Sequence, residues 1–393
     1  MAGTISRGIK APIIREGDDI VKIVADSVLA AAEQDGFKLQ EKDVISVTEA
    51  VVARADGNYA TTDHIAADVK AKMGGETVGV VFPILSRNRF AICLRGIARG
   101  AKKVVLALSY PSDEVGNHLF DEDMLDNSGV NPYTDVLSLA DYRKAFGYVK
   151  HPFTGMDYVD YYKQLIEEEG AEAEIIFTNH ADAIVDYTKN VICADIHTRE
   201  RSKRRILAKG GEKVLTLADI LNQPVNGSGY NPTYGLLGSN KATENTVKLF
   251  PKNAQEVAEN IQKEILARTG VNVEAMVYGD GAFKDPVGKI WELADPVVGA
   301  GYTEGLIGLP NELKLKFLAD NDFADLSGEA LADAIKSRIK EKEGNLKGQM
   351  VTQGTTPRRL TDLIGSLSDL TSGSGDKGTP IILIQNYFSN YAQ

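Results

Sequence analysis

Apolar residues near the start of the chain first recur at helical spacing and then form a strand-like run. The helical spacing is carried by Ile20, Ile23, Val24, Val28 and Ala31. Acidic residues just before this segment favour a helix start, and Gly36 favours its end. In the run that follows, residues 43–58, we expect a strand that runs into a turn at Asp56-Gly57.

Between about residues 76 and 219 the pattern becomes an alternation of short apolar runs and segments of helical spacing. The apolar runs are TVGVVFPIL, KKVVLALSY, AEIIFTN, VICADIH and KVLTL. Strands that alternate with helices of this length favour a parallel, doubly wound sheet.

The last part of the chain mixes helices and strands in a less regular order. Residues 251–270 place Val257, Ile261 and Ile265 on one helical face and end at Gly270. VNVEAMVYGD then predicts a strand that ends on Asp280. The chain closes with a helix (LTDLIGSLSDL), a glycine-rich turn and an apolar strand (PIILIQNY). The predicted fold class is therefore α/β together with α+β.

Charge and composition exclude some classes of function. The net charge of −11 argues against a nucleic-acid-binding protein, which would carry a basic patch. No run of about 18 apolar residues indicates a membrane span, and the two cysteines, Cys93 and Cys193, show no paired spacing. We expect a cytoplasmic protein.

Two carboxylates stand out as candidate metal ligands. Glu244 lies in a polar loop, YGLLGSNKATEN, together with Asn240 and Asn245, and Asp280 ends an apolar strand. Magnesium takes one or two carboxylates together with waters and substrate phosphates. Gly279 and Gly281 flank Asp280 and would let backbone N–H groups approach those phosphates. The alternative for each acid alone is a solvated surface carboxylate.

Several cations and hydroxyls follow in the sequence and suit a phosphate. Lys284 comes soon after Asp280, and Lys377 lies in the glycine-rich turn TSGSGDKGT. The run GTTPRRL places Thr355, Thr356, Arg358 and Arg359 at a helix start, where free N–H groups bind anions. Surface lysines, and helix capping with a salt bridge between subunits, are the alternatives for these residues.

His197 ends a strand of the predicted doubly wound sheet, where ligand crevices form. A buried, hydrogen-bonded histidine is the alternative. The chain has no GxSxG, GxGxxG or HExxH motif, which counts against hydrolase, dinucleotide-binding and zinc-protease functions.

Five discontinuous stretches resemble the coenzyme F-420 gamma-glutamyl ligase family. They are GIKAPIIREGDD with SVTEAVVARADG, YGLLGSNKATEN, RTGVNVEAMVYGDGAFKDP, and LTDLIGSL through PIILIQNY. The resemblance covers residues 1–75 and 226–393, and it implies a discontinuous ligase-like core with an inserted α/β domain at 76–225. It looks like a longer branch of the family with a large central insertion.

The resemblance also implies an activity and a site. It implies a ligase that uses GTP or ATP to add L-glutamate to a carboxylate of a small-molecule acceptor. Glu244 and Asp280 would hold two Mg²⁺ or Mn²⁺ ions, Asn240 would belong to the loop of the site, and Lys284 stands where the family has an arginine. Family members are intertwined homodimers.

Departures from the family pattern keep other functions open. The family's loop aspartate is Glu244 here, its first-strand lysine is Ala50, and the threonine expected after Asp280 is Gly281. One alternative is glutamylation of a folate-type or other acceptor. The other is a regulatory protein that binds a nucleotide or metabolite without turnover.

Overall fold

The computed structural model describes residues 3–282, 291, 293–352, 358–373 and 375–393. It is a mixed α/β structure with three sheets. The strands, in chain order, are β1 (Ile5–Ile9), β2 (Val44–Thr48), β3 (Tyr59–Thr61), β4 (Thr77–Val81), β5 (Lys103–Leu108), β6 (Leu137–Ser138), β7 (Glu172–Phe177), β8 (Asn190–Cys193), β9 (Lys213–Thr216), β10 (Asn240–Thr243), β11 (Thr246–Lys248), β12 (Glu274–Tyr278), β13 (Gly299–Tyr302) and β14 (Ile381–Gln385).

Helices cover the faces of the two larger sheets. In chain order they are α1 (Ile20–Asp35), α2 (Glu49–Ala55), α3 (Thr62–Met73), α4 (Phe90–Arg99), α5 (Glu122–Asp126), α6 (Leu139–Phe146), α7 (Tyr158–Glu168), α8 (Arg199–Ala208), α9 (Ala254–Thr269), α10 (Leu315–Phe317), α11 (Gly328–Lys340) and α12 (Leu360–Ser372). None of the helices in the described ranges is long and apolar enough to cross a membrane.

The five-stranded sheet has the order β1-β14-β2-β12-β13. Its central strands β2 and β12 are parallel, and the other pairings are antiparallel. Helices α1 and α9 cover one face of this sheet with a core of aliphatic residues, and α12 covers the other face. The predicted ends of α1 and α9 are confirmed, because Gly36 and Gly270 adopt the left-handed conformation with φ of 69° and 71°.

The strand predicted to run from residue 43 into a turn at Asp56-Gly57 is wrong in its second half. The strand ends at Thr48, and residues 49–55 form α2 before the turn. The segment after Thr48 is rich in alanine, the strongest helix former, and it packs against α1 and α9.

The six-stranded sheet has the order β6-β7-β5-β4-β8-β9. All its pairings are parallel except that of the short edge strand β6. Helices α3, α4 and α7 cover one face, and α8 with the 3₁₀ segment Ala181–Asp186 covers the other. The predicted doubly wound sheet is therefore present, and its strand order changes direction between β4 and β8.

A small three-stranded sheet, β10-β11-β3, joins an early strand to a later hairpin. The polar loop predicted around Glu244 is this hairpin. The strands of the six-stranded sheet all lie within residues 77–216, and those of the five-stranded sheet lie outside that range. The division into a core (1–75 and 226–393) and an inserted domain (76–225) stays a prediction.

Candidate functional site

The carboxyl ends of β2 and β12 bring two acidic residues to one edge of the five-stranded sheet. The strands are parallel neighbours, with Thr48 paired to Tyr278 at their ends. Glu49 follows directly after β2, and Asp280 comes two residues after β12. Adjacent parallel strands deliver the residues that follow them to the same edge, where α/β proteins place ligands.

Asp280 belongs to a closed ring of polar contacts with Arg89 and Asp295. Arg89 donates through Nη2 to Asp280 Oδ2 at 2.7 Å and through Nη1 to Asp295 Oδ1 at 2.6 Å. The backbone N–H of Asp280 donates to Asp295 Oδ2 at 2.8 Å. Arg89 directly precedes α4, in the segment that follows β4, so this ring joins the carboxyl ends of both large sheets.

The guanidinium of Arg89 stays charged in this partly enclosed position. Burial by itself would lower its pKa, but the carboxylates of Asp295, Asp280 and Glu49 outweigh that effect and raise the pKa. The Asp295 side chain is only 1% exposed. A buried carboxylate of this kind needs a cation beside it, and Arg89 supplies that charge.

A second ion pair lies nearby, between Glu49 and Lys248. The lysine at the end of β11 donates to both carboxylate oxygens at 2.7 and 2.9 Å, and both side chains are buried. Burial raises the pKa of Glu49, while Lys248 acts in the opposite direction. The pair fixes the small sheet against the carboxyl end of β2.

Helix α12 packs against the residues that follow β12. The N–H groups of Gly281 and Ala282 donate to Asp369 Oδ2 and Ser366 Oγ, both at 3.0 Å. Burial raises the pKa of Asp369. A Cβ atom at Gly281 would lie 2.8 Å from the Cα of Ser366, and one at Gly279 would lie 2.6 Å from Asp295 Oδ2. At both glycines, the atoms that approach the backbone closely are therefore protein atoms of Ser366 and Asp295.

Glu244 lies in different surroundings from Asp280. It occupies the hairpin turn between β10 and β11, with its side chain 79% exposed and paired with Lys241 at 2.6 Å. The hydrogen bond from Lys241 lowers the pKa of Glu244. Asn240 begins β10 half-buried, and Asn245 is exposed in the turn. Among the described residues, no group of three or more histidine, cysteine, aspartate or glutamate side chains is arranged to hold a metal ion.

The described residues that were predicted to bind anions lie just beyond the two ends of α12. Arg358 and Arg359 are exposed just before its first residue, whereas Ser366 and Asp369, later in the helix, are the residues that meet Gly281 and Ala282. Arg359 precedes Ser366 by seven positions, which is about 10 Å along a helix axis. Lys377 is exposed in the turn that follows α12. The predicted residues Lys284, Thr355 and Thr356 lie outside the described residues.

An open cleft of about 370 Å³ lies beside the carboxyl ends of β2 and β12. It is lined by residues 11–14, by two residues of α2, by residues 372, 373, 375 and 378–380, and by Thr48 and Tyr278. Burial raises the pKa of Tyr278 to about 12. The size is within the range of small-molecule sites.

His197 lies at the carboxyl end of β8, as predicted, but it is exposed rather than buried. Its ring Nε2 contacts the backbone oxygen of Leu293, and its backbone N–H donates to the carboxylate of Glu114. Leu293 lies two residues before Asp295. This contact therefore helps to hold the chain segment that carries Asp295.

Sequence reasoning missed the residues that neutralise or anchor the acids of the site: Glu49, Arg89, Lys248, Asp295 and Asp369. Two local signals were available. Glu49 is an acid at the end of an apolar strand, and Arg89 lies in the segment after β4, the first strand of the predicted parallel sheet. Lys248, Asp295 and Asp369 come from distant parts of the chain, and no local sequence pattern marks them as partners of these acids.

Paired charges at the carboxyl ends of parallel strands, beside an open cleft, are typical of the ligand site of an α/β enzyme. The match to a known family agrees with this class. The family model described as F420-0:Gamma-glutamyl ligase matches residues 8–386. The chain belongs to this family of ligases. No curated protein matches the chain.

Proposed function

We propose that this protein is a nucleotide-dependent ligase that joins L-glutamate by an amide bond to a carboxylate of a small-molecule acceptor. Membership of the gamma-glutamyl ligase family supports the glutamate-ligase activity. The observation that carries the rest is the position of Asp280 after β12, at the carboxyl ends of two strands whose last residues, Thr48 and Tyr278, line the open cleft. Such an acid and such a cleft suit phosphate chemistry on a small molecule.

The proposed reaction has two steps. The acceptor carboxylate attacks the γ-phosphate of GTP or ATP, and a nucleoside diphosphate leaves, which gives an acyl phosphate. The amine of glutamate, in its neutral form, then attacks the acyl carbon. Phosphate leaves and the nitrogen loses a proton, so that an amide is formed.

A divalent ion, Mg²⁺ or Mn²⁺, is part of this proposal. The carboxylate oxygens at the site are the hard donors that such ions prefer, and one or two carboxylates with substrate phosphates complete a typical magnesium site. Asp280, just after β12, would hold one ion, and Glu244, from the hairpin turn, would hold a second. When bound, the ions would neutralise charge on the phosphates.

The proposed cations flank the cleft and α12. Lys377 lies in the turn whose glycines line the cleft, and a lysine there suits a phosphate or carboxylate. Arg358 and Arg359 precede α12 and are exposed. Their guanidinium groups suit bidentate contacts to an anionic substrate.

The test is nucleotide-dependent phosphate release with Mg²⁺ or Mn²⁺. GTP and ATP are each combined with L-glutamate and with deazaflavin or folate acceptors that carry a free carboxylate. We expect release only when nucleotide, glutamate and one acceptor are all present. Binding of nucleotide without release in every combination would instead support a regulatory protein.

Asp280→Asn tests the site assignment. We expect it to lower the release rate roughly 100-fold or more, because the ion contributes several kcal/mol of charge stabilisation. Asp186→Asn is the matched control, since Asp186 is exposed and pairs with Lys209 outside the site. An Asp280→Asn protein that stays folded and keeps its activity would refute the assignment.

A further inference from the structure

The ring formed by Arg89, Asp280 and Asp295 gives the six-stranded sheet a part in the site. We propose that Arg89 is a positioning residue that holds the Asp280 carboxylate in place for the divalent ion. This inference rests on the proposed function, because it assumes that Asp280 is a metal ligand. It goes further by assigning a role to a residue that lies outside the residues 1–75 and 226–393 that resemble the shorter ligases.

The geometry fits a guanidinium better than any other side chain. The planar guanidinium of Arg89 donates to two carboxylates at once, with N···O distances of 2.7 Å to Asp280 and 2.6 Å to Asp295. Asp295 also accepts the backbone N–H of Asp280 at 2.8 Å. The side chain and the backbone of Asp280 are therefore fixed by the same Arg89–Asp295 pair. A lysine ammonium lacks this planar two-armed geometry.

Arg89 is itself held by the core of the six-stranded sheet. Its backbone N–H donates to Ser86 Oγ at 3.1 Å, and the next residue, Phe90, is buried at the start of α4. Helix α4 packs against α3 and α7 over the parallel strands. The guanidinium therefore projects from a fixed base at the point where the strand order changes direction between β4 and β8.

Asp295 is held from the same direction. The segment before it crosses the carboxyl end of the parallel sheet, where Trp291 N–H donates to Val115 O at 2.7 Å. His197 Nε2 contacts Leu293 O two residues before Asp295. Both partners of the Asp280 carboxylate ring are thus tied to the six-stranded sheet, while Asp280 belongs to the five-stranded sheet.

Two effects of Arg89 on metal binding oppose each other. Its positive charge would repel a cation, but Asp295, almost fully buried, already balances that charge at 2.6 Å. Its hydrogen bond orients the ligand, and loss of such an orienting partner costs about 10–100-fold in metal affinity. We therefore expect the loss of orientation to outweigh the loss of repulsion, so that a protein without Arg89 binds the metal more weakly.

Direct measurement of Mn²⁺ binding by electron paramagnetic resonance tests this without any turnover. Arg89→Gln removes both the positive charge and the planar guanidinium that bonds two carboxylates at once. Arg89→Lys keeps the charge but removes that guanidinium geometry. We expect both to weaken Mn²⁺ binding about 10–100-fold. Arg143→Gln is the matched control and should change nothing, because Arg143 is similarly enclosed and also bridges two acids, Asp157 and Asp160, which make no contact with the site.

The other outcomes separate this inference from the proposed function. If Asp280→Asn binds Mn²⁺ as well as the unaltered protein, the metal assignment fails and the inference with it. If binding depends on Asp280 but is unchanged or tighter in Arg89→Gln, the positioning role alone is refuted. Thermal unfolding identifies a variant that does not fold. In that case Asp295→Asn, which leaves Arg89 and Asp280 in place, provides the same test and should also weaken binding.

Discussion

At the scale of single residues, Asp195 shows how strongly burial beside the parallel sheet raises the pKa of a carboxyl group. It is fully buried just after β8, and burial raises its pKa to about 6. One oxygen accepts hydrogen bonds from Thr198 Oγ1 at 2.6 Å and Ser202 Oγ at 2.7 Å. The other oxygen has no hydrogen-bond partner among the residues that the structure describes.

This pKa makes the stability of the protein depend on pH. The pKa of Asp195 in the folded protein is about 6, against an ordinary value of 3.8, so the folded state binds the proton more tightly than the unfolded chain. The stabilisation is complete below about pH 4 and is lost as the pH rises through about 6. Asp195→Asn removes the titrating group. We compare the free energy of unfolding of the variant with that of the unaltered protein. As the pH is raised from 4 to 7, we expect this difference to shift in favour of the variant by roughly 1–3 kcal/mol.

Urea unfolding at a series of pH values measures this change. Asp126→Asn serves as the control, because Asp126 is exposed at the end of α5, and its effect should be the same at both ends of the range. Parallel stability curves for Asp195→Asn and the unaltered protein would contradict the prediction.

At the scale of elements, the contact between α12 and the segment after β12 explains a departure from the family pattern. The family resemblance implies a threonine at the position where this chain has Gly281. Here a Cβ atom would lie 2.8 Å from Ser366 Cα and 3.1 Å from Asp369 Oδ2. The backbone of a helix cannot yield as a flexible side chain can, so the close approach of α12 requires glycine.

Gly281→Ala should therefore destabilise the protein by about 1–3 kcal/mol, the usual cost of overpacking. It should also reduce activity, because α12 and the residues after Asp280 would have to move apart. Denaturant unfolding and phosphate release are the two measurements. Gly344→Ala is the control, since that position is open and its φ is not in the left-handed region. Equal stability of the two variants would show that α12 yields easily.

Elements differ in how well they could be predicted, and the reason is the range of the interactions that define them. The ends of α1 and α9 depend on the left-handed conformation of Gly36 and Gly270, which is a local property. The hairpin around Glu244 instead forms because β11 pairs with β3, a strand from residues 59–61. That pairing leaves no mark on the local sequence.

At the scale of the whole molecule, the carboxyl ends of the two large sheets meet at one place. Asp280 comes from the five-stranded sheet and Arg89 from the six-stranded sheet, and their ion pair spans 191 positions of the chain. The open cleft is lined by the last residues of β2 and β12, Thr48 and Tyr278. The proposed site therefore requires both sheets to be folded.

The family resemblance also predicts a homodimer. Ile13 and Ile307 are 80% and 66% exposed, and a twofold interface that covered such side chains would gain from removing them from water. Light scattering on the purified protein should therefore give about twice the chain mass of 42.5 kDa. The mass of a single chain at micromolar concentration would refute this prediction.

By itself, the sequence determined the properties that depend on short stretches of chain. The alternation of strands and helices predicted the doubly wound sheet, and the apolar strand ending in Gly-Asp-Gly indicated Asp280. Only the tertiary structure decided the partners of that acid. Arg89 and Asp295 bond to it from two separate segments, and Asp369, from a third, accepts the N–H of the next residue, Gly281. A buried carboxylate needs a neutralising partner such as Arg89, and only the packing of distant segments brings that partner near. No local pattern encodes that requirement.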